Sequence, residues 1–332
     1  MVIGLNKPFF VMAPMDDVTD TVFRQIVSSC SPPDICFSEF VNVDGLMSQG
    51  RQRIIHKLER EQSEPPLIAH IWGIRPDNFY AIADQIASGE LAHELGMKQN
   101  FAGIDLNMGC PVKQVVKTGA CSALINNHEL AEEIIAATKK GAAGRLPVSV
   151  KTRIGYTRIE PGWTEFLLNQ GLDMLTVHLR TTREMSLVPA HYEELDRIHQ
   201  QKEKIAPKTL LVANGDIETR QQGLDIAKKY FVDGIMIGRG VFHDPFVFSP
   251  DSPWEGFTKS QKIELFKRHL KLYKEWSDRP DKAVGRMNKY AKIYINGFDG
   301  AKEYREQIAL SKTIDQMLNV LESGSVYLKQ SL

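Results

Sequence analysis

Residues 103–142 read GIDLNMGCPVKQVVKTGACSALINNHELAEEIIAATKKGA, and this stretch decides the fold. GIDLNMG at its start is a short apolar run of the kind that makes a buried strand, and NHELAEEIIAATKKGA at its end carries a helical pattern. Between them Cys110 is followed at once by Pro111, and proline disfavours the helical conformation for the residue before it. Cys110 therefore lies on a loop leaving a strand, where side chains tend to do chemistry.

The same alternation continues through most of the chain. Short apolar or alternating runs stand at FFVMAP from residue 9, ICFSEF from 35, PLIAHIWG from 66, GIDLNMG from 103, PVSVKTRIG from 147, MLTVHLRT from 174, TLLVANGD from 209 and GIMIGRG from 234. Strands separated by helices imply repeated strand-helix-strand units with a parallel sheet, and eight of them predict an α/β fold closed as a (β/α)8 TIM barrel. Chemistry-bearing residues sit at the carboxyl ends of the runs: Asp16, Glu39, His70, Asn107 and Cys110, Lys151 and Arg153, His178 and Arg180, Asn214 and Asp216, and Arg239. In a parallel barrel that end is the catalytic face. A strand meeting solvent accounts for two or three such residues but poorly for one after nearly every strand.

A chain of 332 residues with 42% hydrophobic content is long enough for one large core and a second, smaller domain. Lys plus Arg and Asp plus Glu both total 41, so the overall charge points to no polyanion. The distribution is uneven, because eleven basic and four acidic residues fall between Lys259 and Lys292. KSQKIELFKRHLKLYKEW is helical in period, with Ile263, Phe266, Leu270 and Tyr273 on one face; Arg286, Lys289, Tyr290 and Tyr294 follow on a second apparent helix. A solvated helix face is one reading of this run. A basic surface interleaved with rings, suited to phosphate contact and base stacking, is the other. The predicted organisation is a barrel over residues 1–248, a proline-containing linker over 249–258 and a small all-helical domain over 259–332.

Cysteines at 30, 36, 110 and 121 show neither paired metal-ligand spacing nor the density of a disulfide-stapled secreted domain. No metal is expected, and a reducing compartment fits. The first residues lack the pattern of a signal peptide and no run approaches the ~18 apolar residues of a membrane span, so the expectation is a cytoplasmic protein without membrane contact. Nothing implies a protein partner.

ANGD and IGRG end the seventh and eighth strands, where such barrels frequently bind phosphate through backbone amides. That phosphate fits a sugar phosphate or a flavin mononucleotide equally well. Alternation along SVKTR points Lys151 and Arg153 to one side and Val150 and Thr152 to the other. A cation in a barrel mouth needs an anionic partner. For Lys151 that is either Glu39 or Asp105, in a salt bridge, or a flavin ring favoured in its anionic reduced form.

APMDDVTDTVFR, DLNMGCPVKQVVKTGACSAL, SVKTRIG, TVHLRT, VANGDI and MIGRG, in this order over residues 9 to 245, resemble the signature of the tRNA-dihydrouridine synthases. The resemblance implies an FMN enzyme that reduces the C5=C6 bond of particular uridines in tRNA, with NADPH or NADH as reductant and a helical tRNA-binding domain after the barrel. It assigns Pro14, Met15, His70, Lys151, His178, Asn214, Asp216, Gly238 and Arg239 to the flavin, and Asn107, Arg180, Arg286 and Lys289 to the substrate. Asp216 reads equally well as a helix cap. Cys110 becomes the general acid: hydride addition at C6 leaves an enolate whose C5 must receive a proton, and a thiol of ordinary pKa, ~8.5, is protonated at neutral pH. A nucleophilic cysteine would need a depressed pKa and a paired base, and no histidine stands near it in the sequence.

Three positions depart from the family pattern. His70 replaces a glutamine, and an imidazole cannot supply both amide functions; Leu179 replaces a glycine in HLRT; Cys121, in place of another glycine, is a small buried residue or a second acid. Two other readings remain open at this point, a flavin barrel that reduces a free pyrimidine or an enone, and a catalytically decayed tRNA-binding homologue.

Overall fold

The computed structural model describes residues 5–276 and 284–323. Arg279 and Lys282 of the basic stretch, and the end of the predicted helical domain from residue 324, lie outside the described residues. The strands are β1 (Phe9–Met12), β2 (Ile35–Phe37), β3 (Val41–Asn42), β4 (Leu67–Trp72), β5 (Gly103–Met108), β6 (Val148–Arg153), β7 (Met174–His178), β8 (Leu210–Asn214) and β9 (Gly234–Ile237). All pairings are parallel. β1 lies between β2 and β9, and β2 also pairs with β4, which closes the ring. The barrel is thus the eight-stranded one expected, with the two-residue β3 added beyond β2 on the edge of β4.

Strand alternation separates two cores. Phe9, Val11, Ala13, Ile35, Phe37, Ile68, Met174, Val212 and Met236 fill the lumen. The intervening residues, such as Phe10, Met12, Ala69, Ile71, Ile104, Leu106, Val150, Val177 and Ala213, face the surrounding helices. Strands buried on both faces are near-continuously apolar, which is why these runs were legible. Helix His128–Ala142 starts at Asn127, whose Oδ1 accepts from the Leu130 amide, as a cap should. It packs against helix Pro76–Ser88 so closely that a Cβ at Gly141 would lie 2.3 Å from the Tyr80 carbonyl oxygen.

Helices Lys259–Trp276, Met287–Tyr294, Ala301–Leu310 and Ile314–Ser323 follow the barrel. Ile263, Phe266, Leu270 and Tyr273 are buried on one face, as the period predicts. The aromatic residues expected to stack on bases do something else: Tyr290 and Tyr294 are 1% and 0% exposed. Tyr290 packs its ring 4.9 Å from Phe23 of helix Thr21–Cys30 and donates to the Val18 carbonyl, while Tyr294 pairs with buried His269. Their rings anchor the helices to the barrel, so they are core residues and leave no face for a base. The segment read as a linker is also anchored, with Trp254 buried beside Phe246 and Phe257. Among the described residues no helix is long and apolar enough to cross a membrane.

One ion pair ties the first helix to the loop before β4. Arg24 and Glu64 have fully buried side chains, with Arg24 Nε 2.5 Å from Glu64 Oε2 and the other guanidinium nitrogens donating to the Thr19 and Glu59 carbonyls. Removing one member strands the other charge in the interior, at about 3–5 kcal/mol. Arg24→Ala is expected to lower stability by that amount, read as a fall in the urea midpoint; a change under about 1 kcal/mol, the scale of an exposed pair, would refute this role.

Candidate active site

Parity along the strands decides which polar residues enter the lumen. Asp105 and Asn107 of β5, Ser149, Lys151 and Arg153 of β6, His178 of β7 and Asn214 of β8 alternate with residues of the outer core, and so all point inward. Register then sets depth. His70 pairs with Asp105 and Asp105 with Ser149, whereas Asn107 pairs with Lys151 two residues nearer the mouth. His70 is accordingly buried, its Nδ1 2.7 Å from Asp105 Oδ2, while Ser149 donates to Asp105 Oδ1. Burial holds its pKa below the ordinary histidine value against the pull of Asp105. His70, assigned to the flavin, does not line the cavity described next; one layer of depth separates it from that wall.

The cavity opens at the ends of β1, β6, β7, β8 and β9. Pro14, Met15, Lys151, His178, Asn214, Asp216, Gly238 and Arg239 line it, together with Ser186 and Glu218. The last two carry no motif in the sequence; only the fold of the loop after β7 and the turn after β8 brings them in. Lys151 has no hydrogen-bond or ion-pair partner among the described residues. Asp105 is taken by His70 and Ser149, and Glu39 accepts from the Asp17 amide and lies 3.7 Å from Lys57. Both salt-bridge readings of Lys151 therefore fail. Burial and the neighbouring Arg153 push its ammonium down to about 8, against Asp105 and Cys110, which leaves it mostly charged at neutral pH.

Asp216 organises the remaining cations. Its Oδ2 accepts from Arg180 and from the Ala190 amide, and its Oδ1 lies 2.9 Å from Arg239 Nη2. Burial alone would raise this carboxyl, but Arg180 and the amide outweigh it and hold it below the usual range. It caps no helix: Thr219 caps the helix that follows. Arg180, assigned to the substrate, is 2% exposed and spends its other nitrogens on the Val188 carbonyl and on His178 Nε2, so in this structure it acts within the chain. Because a guanidinium only donates, His178 Nε2 accepts and its proton sits on Nδ1. Burial and the surrounding Arg153, Lys151, Arg180 and Arg239 keep that ring neutral, well below the ordinary histidine value. Asn214 donates to the Met236 carbonyl. At Gly238 an added Cβ would lie beside Ala13 and Met15 on the cavity wall, 3.5 and 3.9 Å away, so the missing side chain leaves main chain facing the cavity. An unpaired ammonium, an exposed guanidinium and bare backbone fit an anionic ligand with a phosphate end.

Cys110 stands on the loop after β5, next to the strand that carries Lys151. Asn107 Oδ1 shapes that loop by accepting from the Gly109 and Cys110 amides, at 3.1 and 3.0 Å, and its Nδ2 has no partner among the described residues. Gly109 lies against the β6 backbone, where a Cβ would meet Thr152 at 3.1 Å. The thiol does not have the ordinary pKa expected of it. A hydrogen bond with Cys121 lowers it to about 7, with help from the Val112 amide and Lys151 and against burial. Cys121 is buried, as the first of its two readings held, and its thiol also bears on that of Cys110.

Arg286 and Lys289, assigned to the substrate, both meet Asp17: Arg286 Nη2 lies 2.8 Å from Oδ1, and Lys289 donates to the Asp17 carbonyl. They hold the helical segment against the loop after β1, beside Lys57, which bridges Asp16 and Glu39. In this structure they act within the chain.

Burial pushes Cys30 and Cys36 up to about 12 and holds Cys121 well above the ordinary thiol value, so Cys110 alone ionises near neutrality. Iodoacetamide is expected to modify Cys110 first, with a rate that rises through about pH 7, and Cys121→Ala is expected to move that midpoint upward. A midpoint unchanged by the substitution would remove Cys121 as the cause.

A model of the family described as dihydrouridine synthase (Dus) matches residues 11–330. A probable tRNA-dihydrouridine synthase of Staphylococcus aureus (strain COL) is 42% identical over 321 residues, covering 96% of this chain and 93% of that protein. Probable tRNA-dihydrouridine synthase 2 of Bacillus subtilis (strain 168) is 43% identical, covering 96% and 94%. Among solved structures, histamine dehydrogenase from Rhizobium sp. 4-9 superposes with a TM-score of 0.51 at 12% identity, over 79% of this chain and 48% of that one, a likeness of fold alone. The motifs, the barrel and these relatives agree: this chain belongs to the dihydrouridine synthase family.

Proposed function

We propose that the protein reduces particular uridines in tRNA to 5,6-dihydrouridine, with FMN bound in the cavity and Cys110 as the proton donor. The observation that carries this reading is the unpaired Lys151 on the cavity wall, beside a loop that presents a thiol. Pro14, Met15, Lys151, His178, Asn214, Gly238 and Arg239 would hold the flavin, with the anionic ring toward Lys151 and the phosphate toward Gly238 and Arg239. Reduced flavin would supply the hydride for uridine C6, and NADPH or NADH would recharge it. Asp216 would keep Arg239 and Arg180 in place, and Arg180 would keep the Nδ1 proton of His178 directed away from itself.

Cys110 would deliver its proton from Sγ to C5, and the free Nδ2 of Asn107 would donate to a carbonyl on the uracil edge. A general acid acts in its protonated form. Since Cys110 loses its proton through about pH 7, the C5 protonation step should slow as pH rises through that value. The charge of tRNA is met by basic residues of the helical segment; Arg268, Lys271 and Lys292 are exposed there, in contrast to the engaged Arg286 and Lys289. The helices after the barrel are read as the tRNA-binding domain on that basis.

The test is to incubate FMN-loaded protein with unmodified tRNA and NADPH and map dihydrouridine by mass spectrometry. Cys110→Ala is expected to lower its formation by about 10²–10⁴-fold while NADPH still bleaches the flavin. Unimpaired dihydrouridine formation in this variant would dismiss Cys110 as the acid. Lys151→Met removes a charge-assisted contact worth about 1.5–3 kcal/mol, so FMN affinity should fall by roughly ten- to a hundredfold; unchanged affinity would reject the ring-binding role.

A further inference from the structure

Cys121 is one of the three departures from the family pattern, and the only one that stands against Cys110. Its backbone is left-handed, with φ of 54°, a conformation suited to the glycine found elsewhere, and its side chain is fully buried. The Cys110 thiol lies near enough for the two groups to shift one another, Cys110 downward and Cys121 upward. The main chains also run side by side, since the Ser122 amide donates to the Cys110 carbonyl at 3.4 Å. Two cysteines on adjoining backbones, with their thiols near one another, are what a disulfide requires. Both thiols are free in this structure.

We propose that Cys110 and Cys121 form a reversible disulfide when the protein meets a hydroperoxide, so that the β5 loop is a redox modification site. Cys110 is the reachable member, half-buried and beside Lys151. Its thiolate attacks a peroxide oxygen; the O–O bond breaks, Cys110 becomes a sulfenic acid, and the released hydroxide leaves as water after taking a proton. The Cys121 sulfur then attacks the sulfenic sulfur, an S–S bond forms, the S–O bond breaks, and the hydroxyl departs with the Cys121 proton as a second water. Two thiols lose two electrons and two protons, and one hydrogen peroxide becomes two waters. Cys121, sealed from solvent, resolves the sulfenic acid before a second peroxide carries it to the irreversible sulfinic acid. The disulfide leaves no S–H on Cys110, and a dithiol restores it. That this silences proton delivery rests on the uridine-reducing reading; the disulfide itself does not.

The experiment treats the full-length protein with hydrogen peroxide, traps remaining thiols with N-ethylmaleimide after unfolding, and maps peptides without reduction. The expected result is loss of two of the four thiols, a peptide joining Cys110 to Cys121, and recovery of both thiols with dithiothreitol. Dihydrouridine formation, assayed on the same samples, should fall and return in step. Cys121→Ser should form no such link, and its Cys110 should be oxidised beyond rescue by dithiothreitol. Cys30→Ser, which leaves the pair intact, should form the link as the unaltered protein does. Cys110 recovered as sulfinic acid with Cys121 maleimide-tagged, or a link through Cys30 or Cys36, would overturn the proposal. A reversible Cys110–Cys121 link in a protein that makes no dihydrouridine even untreated would sustain it and reject the uridine reading instead.

Discussion

Positive charge without an internal counterion is the constraint on which the barrel mouth depends. Lys151, Arg153, Arg180 and Arg239 surround His178, and Asp216 binds two of the arginines. Arg153 is taken by the carbonyls of Gly109, Thr181 and Met185. Lys151 is left. A cation held out of bulk water is costly unless something neutralises it, which suits this wall to an anionic ligand. The neutral His178 follows from its burial and from the same excess, because a further proton would be repelled by the cations around it.

The mouth has two chemically distinct walls. On the side of β1 and β7 to β9, backbone and basic groups face a cavity suited to a phosphorylated ligand. On the β5 side the Cys110 loop is held from beneath by Asn107 and from the side by Cys121. The two walls communicate electrostatically, since Lys151 lowers the Cys110 pKa and Cys110 supports the charge of Lys151. A ligand that neutralises Lys151 would thus also favour the protonated thiol, the form a general acid needs.

The helices after the barrel show how one composition serves two ends. Tyr290 and Tyr294 lie inside the joint with helix Thr21–Cys30, and Arg286 and Lys289 close on Asp17. The segment is fastened at the loop after β1, whose neighbouring residues Pro14 and Met15 also line the cavity. The basic residues that remain on its surface are therefore carried in a fixed relation to the mouth.

The strands, their number and the face that carries chemistry were all legible in the sequence, because a strand buried on both sides must be apolar along its length and polar only where it ends. Alternation also placed Lys151 with Arg153 correctly. The depth of His70 was not legible: it depends on register with β5, and the residues at the end of β4 look the same one layer up or down. Nor was the engagement of Arg180, Arg286 and Lys289, since a basic side chain is written identically whether it meets a phosphate or an aspartate of its own chain. The altered Cys110 was hidden for the same reason, because Cys121 is eleven residues away along a loop whose return only the packed structure reveals. The sequence by itself determined the barrel and the chemical types at its mouth, for these follow from local periodicity. Which of those groups are spent on one another and which remain open to a ligand was decided by tertiary contacts alone, because hydrogen bonds and charges pair by distance in space and not by position in the chain.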